Sequence, residues 1–497
     1  MRKLAVAVFI IAGISGCRSP QVMMQQLESC RPCVADASTL SQSVPVETTS
    51  EAGTVEEYVQ LGLQRNPQLQ EAQHKIEAIG HRVPQVLSLP DPMVNTTTHL
   101  SPVETAAGRQ AFALGVSQKF TNAERRATKA AIVNDEVAAA EAELEKIQLE
   151  IAERIRTACY QLLFVRKSIE ISTEDAESLA QIAEVIERQY EVKQSVTQQD
   201  ILNVQIEQSK IENQITDLQQ KGKSYQARLA RLLHVDPRSE LQIIDQLQTQ
   251  SSQLNAESLI ATAIQLRPEL RSQIANVNRD QKKIHLASLE SKPDFTVGLN
   301  WIATSDSGIS PVANGDDALL LGVGFNLPVY KNRIRAGICE AQANRRASQS
   351  RLESLQDIVA EEVFDLVAKL ESNQQTMDLI RNDILPKAQR TLDLSIDEYA
   401  TDEVEYVQLI ANWRTVLRYR VAEANLQSQH GQLLASLARS VGQLEPIASF
   451  TAGSVDQPEF EDAEPLEFDD AAEESTSNET EETEGDSRDV DETGTKP

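Results

Sequence analysis

Phe112-Ala113-Leu114-Gly115-Val116-Ser117 alternates large apolar residues with small or polar ones, and residues 123–189 then run for sixty-seven positions without a proline or a glycine. The period of two predicts a strand with one apolar face and one small or polar face. In the run that follows, Leu144, Ile147, Ile151, Ile155, Ala158 and Leu162 recur at spacings of three and four. That is a coiled-coil-like seam. At ~1.5 Å per residue the helix is about 100 Å long. A compact domain has no use for such a length.

The same juxtaposition returns later in the chain. Phe295, Val297, Leu299 and Trp301 alternate with Thr296, Gly298 and Asn300. After a loop rich in Gly, Ser and Asp, Leu319, Leu321, Val323 and Phe325 alternate with Leu320, Gly322, Gly324 and Asn326. A second long helical stretch covers 334–399, interrupted by Pro386. Other landmarks recur in the same order. Arg65-Asn66-Pro67-Gln68-Leu69 matches Leu266-Arg267-Pro268-Glu269-Leu270 at a spacing of 201. Gly115-Val116 matches Gly322-Val323, Arg125-Arg126 falls near Arg333 and Arg335, Tyr190 matches Tyr399, and Leu202 matches Ile410, the spacing settling near 208. One slowly drifting spacing across ordered landmarks indicates a duplicated unit.

Each unit opens on an amphipathic helix, 54–87 or 257–290, stopped by Pro90-Asp91-Pro92 or by Pro293. Strands follow at about 93–119, where the stretch 93–100 is the weaker partner, and at about 294–328. Then comes the long helix, a short break, and a returning helix at 198–233 or 404–441. The domain plan is a first repeat at 54–240, a linker at 241–256 and a second repeat at 257–445.

The two ends read differently. Arg2 and Lys3 precede an apolar run at 4–14, too short to span a bilayer. It leads into Ile14-Ser15-Gly16-Cys17, which matches a bacterial lipobox. A signal peptide at 1–16 would be removed and the Cys17 thiol lipidated, leaving 17–53 as an anchored linker. Arg18 is not the Asp that retains lipoproteins in the inner membrane, so Cys17 points to the outer membrane. Cys30-Arg-Pro-Cys33 is a disulfide or a pair of idle thiols, with a metal pair as the other option. Cys159 and Cys339 fall in helical patterns and are expected to be packing residues. The net charge of −28 excludes nucleic acid as a natural partner. Much of it sits in the tail, 446–497, where positions 451–497 hold 18 acidic and 2 basic residues. Such a composition predicts disorder.

Four strands with apolar faces cannot close alone. In a membrane they cannot stay open, because edge N–H and C=O groups would lack partners. A bacterial transmembrane barrel needs about eight strands or more. The chain therefore requires further copies of itself, with the long helices extending the barrel as a second tube. The fold class is mainly α with membrane β. It is a duplicated helix–strand–strand–long helix–helix unit, with four strands per protomer entering an oligomeric barrel continuous with a long α-helical barrel.

Here a family can be named. The duplicated order, with Asn66-Pro67-Gln68-Leu69, the run 115–120 before Arg125-Arg126, and Leu327-Pro328-Val329-Tyr330 with Arg333, resembles the TolC-type outer membrane factors over about residues 54–445. Leu87-Ser88-Leu89-Pro90-Asp91-Pro92-Met93 is similar to the CzcC-like heavy-metal branch. The resemblance implies a homotrimer with a 12-strand outer-membrane barrel and a tunnel across the periplasm. It also implies a periplasmic adaptor (a membrane fusion protein) and an inner-membrane transporter of the RND type. Cargo would be metal cations or small organic compounds, passed through a passive duct. The tips would be the docking and gating end, and carry Tyr190, Thr197, Asp200 and Leu202 in the first repeat and Tyr399, Asp402 and Glu405 in the second. The family's Gly after the first Tyr is replaced by Lys193 or Gln194, and gate aspartates would fall on Gln408 and Ala411.

Catalysis finds no support. The six histidines are scattered, and no phosphate loop, nucleophile elbow or HExxH appears. His74 and His81 are seven residues apart, but two ligands do not make a metal site. No cofactor is expected. The competing reading is a periplasmic coiled-coil structural lipoprotein, which accounts for the helices and the anchor but not for the two matched strand pairs.

Overall fold

The computed structural model describes residues 53–105, 108–192, 197–245, 247, 254–305, 315–401 and 403–445. The lipobox with Cys17, the Cys30/Cys33 pair, Lys193 and Gln194, Asp402 and the acidic tail lie outside the described residues.

The first unit opens with α1 (Val55–Arg65), started by a capping box in which Thr54 Oγ1 accepts from Glu57 N and Thr54 N donates to Glu57. The expected helix over 54–87 is in fact three: α1, α2 (Pro67–Gly80) and α3 (Arg82–Leu87). The counterpart over 257–290 is likewise divided into α6 (Ala256–Leu266), α7 (Pro268–Ser288) and a 3-10 turn at Leu289–Ser291. Proline explains both first breaks. It fits the opening position of a helix but drives the residue before it out of the helical region. Asn66 and Arg267 accordingly have ψ of 123° and 122°. The break is used: Asn66 Oδ1 accepts from Gln68 N, and its Nδ2 donates to Leu232 O at 3.0 Å.

Strands β1 (Met93–Thr105) and β2 (Gly108–Phe120) lead to α4 (Ala123–Val192), a single helix of 70 residues. The returning helix is α5 (Gln198–Leu233). The second unit continues after α7 with β3 (Phe295–Ser305), β4 (Ala318–Phe325), α8 (Lys331–Leu379), α9 (Leu385–Thr401) and α10 (Tyr406–Val441). A π turn at Ile380–Ile384 joins α8 to α9. It ends two residues before Pro386, which lacks an N–H and whose ring would collide with the carbonyl four residues back. The chain relieves that collision with a wider turn and stays helical.

Two of the three apolar cores are equivalent. Ile151, Ile155 and Cys159 of α4 pack with Leu229, Ala230 and Leu233 of α5. At a spacing of 208, Val359, Val363 and Val367 of α8 pack with Leu437, Ala438 and Val441 of α10. Each Val, Leu or Ile among them contributes about 1.5–3 kcal/mol by leaving water. Gly62 fits this packing closely: a Cβ there would lie 2.2 Å from Ile155 Cδ1, so the Ile155 side chain would have to move. The third core joins the far ends of α4, α5, α9 and α10 around Leu179, Ile186, Leu392, Leu409 and Trp413.

Cys159 is a packing residue as expected, and burial pushes its thiol pKa up. Cys339 is not: it is exposed on α8. No residue in 331–358 is buried, whereas Thr128, Ala130, Ile132 and Val133 are buried on the equivalent part of α4. The difference is cover. Helix α7 lies along α4, tied by Lys282 to Asp135 at 2.7 Å and by Arg271 to Glu145. Within the described chain α8 has α7 along one side only, where Gln273 Nε2 donates to Ser348 O at 2.8 Å, whereas α4 has α2 and α3 against it as well as α7.

Candidate functional site

The four strands form one antiparallel sheet in the order β1-β2-β3-β4, so the junction between the two units is the β2–β3 pairing. Directly paired residues share a face. Val94 pairs with Val116, Val116 with Leu299, and Leu299 with Leu321. Along the strands, Phe112, Leu114, Trp301, Leu319, Val323 and Phe325 fall on that same face. The opposite face carries Asn95, Gly115, Asn300 and Leu320, paired in that order across the sheet, with Gly298 and Gly322 paired one step along. Asn300 leans over Gly115, where a side chain would collide with it.

The aromatic residues are placed at two levels. Phe120, Phe295 and Phe325 form one row across β2, β3 and β4, with Phe295 and Phe325 ring centroids 6.5 Å apart. Phe112 and Trp301 meet edge to face at 6.2 Å further along the same strands. Six to eight residues separate the levels, roughly 20–25 Å of strand. A band of that height between aromatic girdles matches the lipid-facing wall of a transmembrane barrel. The face has no cover in the single chain: Leu319, Leu321, Val323 and Phe325 are each more than half exposed. Strands β1 and β4 are open edges. No helix among the described residues is long and apolar enough to cross a membrane.

At the helix end of the sheet the β2–β3 junction is locked by charge. Asp294, just before β3, receives Arg125 of α4 at 3.2 Å, Lys119 at 3.2 Å and the Asn122 amide at 3.3 Å. The second Arg125 nitrogen donates to the carbonyls of Leu289 and Lys292. Sequence reading had singled out Arg125 but missed Asp294. The signal was there, since Pro-Asp occurs before a strand in both units, at Pro90-Asp91 and Pro293-Asp294.

The tips lie at the other end of α4, roughly 105 Å away at ~1.5 Å per residue. Thr197 and Asp200 cap α5 reciprocally: Asp200 N donates to Thr197 Oγ1 at 3.3 Å, and Thr197 N donates to Asp200 Oδ2 at 2.9 Å. Glu405 holds the equivalent N-cap position of α10 without a side-chain cap bond. The described candidates differ in burial. Tyr190 and Leu202 are exposed, whereas Tyr399 and Ile410, their counterparts, are buried in the tip core. Gln189 joins the tips by donating to Ala400 O at 2.9 Å. Sequence reading also missed Glu207, a buried carboxylate held by Lys210 at 2.6 Å and Arg414 at 2.7 Å. Its partners lie in different repeats, so no local motif announces them.

Among the described residues no three His, Cys, Asp or Glu side chains converge as a metal site. His74 sits 3.2 Å from Glu77, and His81 lies at the break between α2 and α3.

A mainly helical chain that pairs one four-stranded membrane-type sheet with two long antiparallel helical hairpins has the fold of the TolC-type outer-membrane channels. Residues 58–234 match the family model described as Outer membrane efflux protein. The structure is similar to the outer membrane protein VceC of Vibrio cholerae, at 17% identity and a TM-score of 0.64, covering 79% of this chain and 97% of that one. It is similar to the CmeC outer membrane channel of Campylobacter jejuni, at 14% identity and a TM-score of 0.62, covering 78% and 85%. The open state of the MtrE outer membrane channel of Neisseria gonorrhoeae matches at 13% identity and a TM-score of 0.63, covering 78% and 89%. No curated protein matches the chain in sequence.

Proposed function

We propose that this chain is the outer-membrane component of a tripartite efflux system, a passive exit duct for metal cations or small organic compounds. The observation that carries the reading is the sheet, with its single apolar face, aromatic residues at two levels and two open edges, continuous with helices far longer than a compact domain needs. Three copies would close a 12-strand barrel, and their helices would continue it through the periplasm. The chain is divided as a first repeat at 54–240, a linker at 241–256 and a second repeat at 257–445. A signal peptide at 1–16, a lipid on Cys17, the anchored linker 17–53 and the acidic tail 446–497 complete it. A periplasmic adaptor and an inner-membrane transporter of the RND type supply docking and energy. The tips, with Tyr190, Thr197, Asp200, Leu202, Tyr399, Asp402 and Glu405, form the docking and gating end.

The test uses the Cys17→Ser chain, which has no lipid. A barrel-forming protein still requires detergent for extraction from outer membranes, and amine cross-linking of the extract gives one discrete trimer. Release of this variant as a soluble species, or a monodisperse monomer in detergent, would mean that a periplasmic coiled-coil lipoprotein is the better description.

A further inference from the structure

The joint between the two repeats has a counterpart that one chain leaves open. Moving β1 forward by 203 positions and β2 by 207 places them on β3 and β4. The pair Met93–Ser117 becomes Thr296–Gly324, which is itself a pair in the β3–β4 ladder. The same shift of 203 carries Asp91 onto Asp294. In the long helices the spacing is 208, fixed by Ile151 and Val359 and by Ile155 and Val363, and it carries Arg125 onto Arg333. Both members of the Arg125–Asp294 lock therefore have equivalents, on β1's side and β4's side of the sheet.

Those equivalents are not joined to each other within the described chain. Asp91 is exposed and has no ion-pair partner among the described residues. Arg333 is exposed and rests 3.7 Å from Glu290, itself about half exposed. They stand at opposite edges of the sheet, so they cannot meet in one copy. The stretch 331–358 of α8 lies directly beyond Arg333 and has α7 along one side only, whereas the equivalent part of α4 is flanked by α7 on one side and by α2 and α3 on the other.

We propose that a second copy of this chain completes the joint by repeating the internal one, a proposal that rests on the oligomeric reading above. Strand β4 of one protomer pairs antiparallel with β1 of the next. Applying the two shifts to the Val116–Leu299 pair sets Val323 opposite the partner's Thr96. Arg333 leaves Glu290 and takes the partner's Asp91, as Arg125 takes Asp294. Asn326 stands where Lys119 stands in the internal joint, so the intermolecular lock has one cation fewer. Helices α2 and α3 of the partner subunit then lie along 331–358 as α7 lies along α4.

The test is disulfide trapping in the full chain, with Cys30, Cys33 and Cys339 replaced by Ser. Asp91→Cys with Arg333→Cys should give covalent dimers and trimers on non-reducing gels. Asp294→Cys with Arg125→Cys should close within one chain and give a monomer band only. Charge exchange is the second arm: Asp91→Arg and Arg333→Asp should each lose most of the detergent-resistant oligomer, and the double exchange should restore it. An oligomer seen by amine cross-linking that neither traps at 91/333 nor responds to the exchange would overturn the proposed joint while leaving the oligomeric reading in place. Absence of any oligomer in the unaltered chain would bring down both.

Discussion

His234 and Gly442 close the two returning helices at the same place in the repeat, both in the left-handed region, with φ of 55° and 84°. Glycine adopts that conformation freely, whereas a side chain costs roughly 1–2 kcal/mol there. His234→Gly should therefore raise unfolding stability by about 0.5–1 kcal/mol. Gly442→Ala should lower it by more, because the added Cβ would also lie 3.0 Å from the Leu266–Arg267 backbone. Thermal denaturation of both variants in one detergent checks the opposite signs. Asp280 allows a pH test. Burial alone would raise its pKa, but hydrogen bonds from Arg279, Ser348 and Lys283 outweigh that and hold it at about 2. Its folded pKa is below the ordinary 3.8, so its contribution is complete above about pH 4 and is lost as pH falls toward 2. The gap in melting temperature between wild type and Asp280→Asn should be present at neutral pH and shrink through that acid window. A gap independent of pH would contradict the assignment.

At the scale of elements, the tip motif has an immediate structural duty. Thr197 and Asp200 satisfy the first amides of α5. Thr197→Ala with Asp200→Ala should fray that turn at a cost of about 1–2 kcal/mol and depress efflux without changing the amount of trimer. Thr197→Ser keeps the accepting oxygen and should retain efflux. Equal loss in the Ser variant would mean that the methyl group makes a contact of its own. Element order was legible because its signals are local. The period of two around Leu299 and Val116, the proline-free run of α4 and the landmarks shared by the repeats each lie within a few turns of chain. The breaks at Asn66 and Arg267 are also written locally, in Pro67 and Pro268, but the apolar rhythm continues across them and masks them. What could not be read was packing that depends on distant chain. Tyr190 and Tyr399 have the same local setting, yet one is exposed and the other is buried in the tip core built from helices of both repeats. Cys339 misled for the same reason.

For the whole molecule, the two faces of the sheet make opposite demands. Leu299 lies on the apolar face and Asn300 on the glycine-rich one. Leu299→Arg should cost about 2–4 kcal/mol per copy at mid-membrane and abolish insertion. Asn300→Lys should leave the amount of inserted protein near wild type and alter only what passes. Quantifying both variants in outer-membrane fractions checks the face assignment, and equal loss of both would reverse or void it.

The open edges β1 and β4 differ from each other, so in the proposed oligomer copies would join head to tail, and such a contact ends only when a ring closes. This has a genetic consequence. A copy whose β4 edge is damaged still offers a sound β1, enters a growing ring and stops it. Co-expressed one to one with the intact chain, and with the three seats of the proposed trimer, it leaves only about one ring in eight free of the defective copy. Lesions confined to one edge should therefore be dominant over the normal allele, whereas lesions that unfold the whole sheet should be recessive, because those chains never reach the ring. Comparing the export phenotype of merodiploid cells carrying each kind of allele would separate the two.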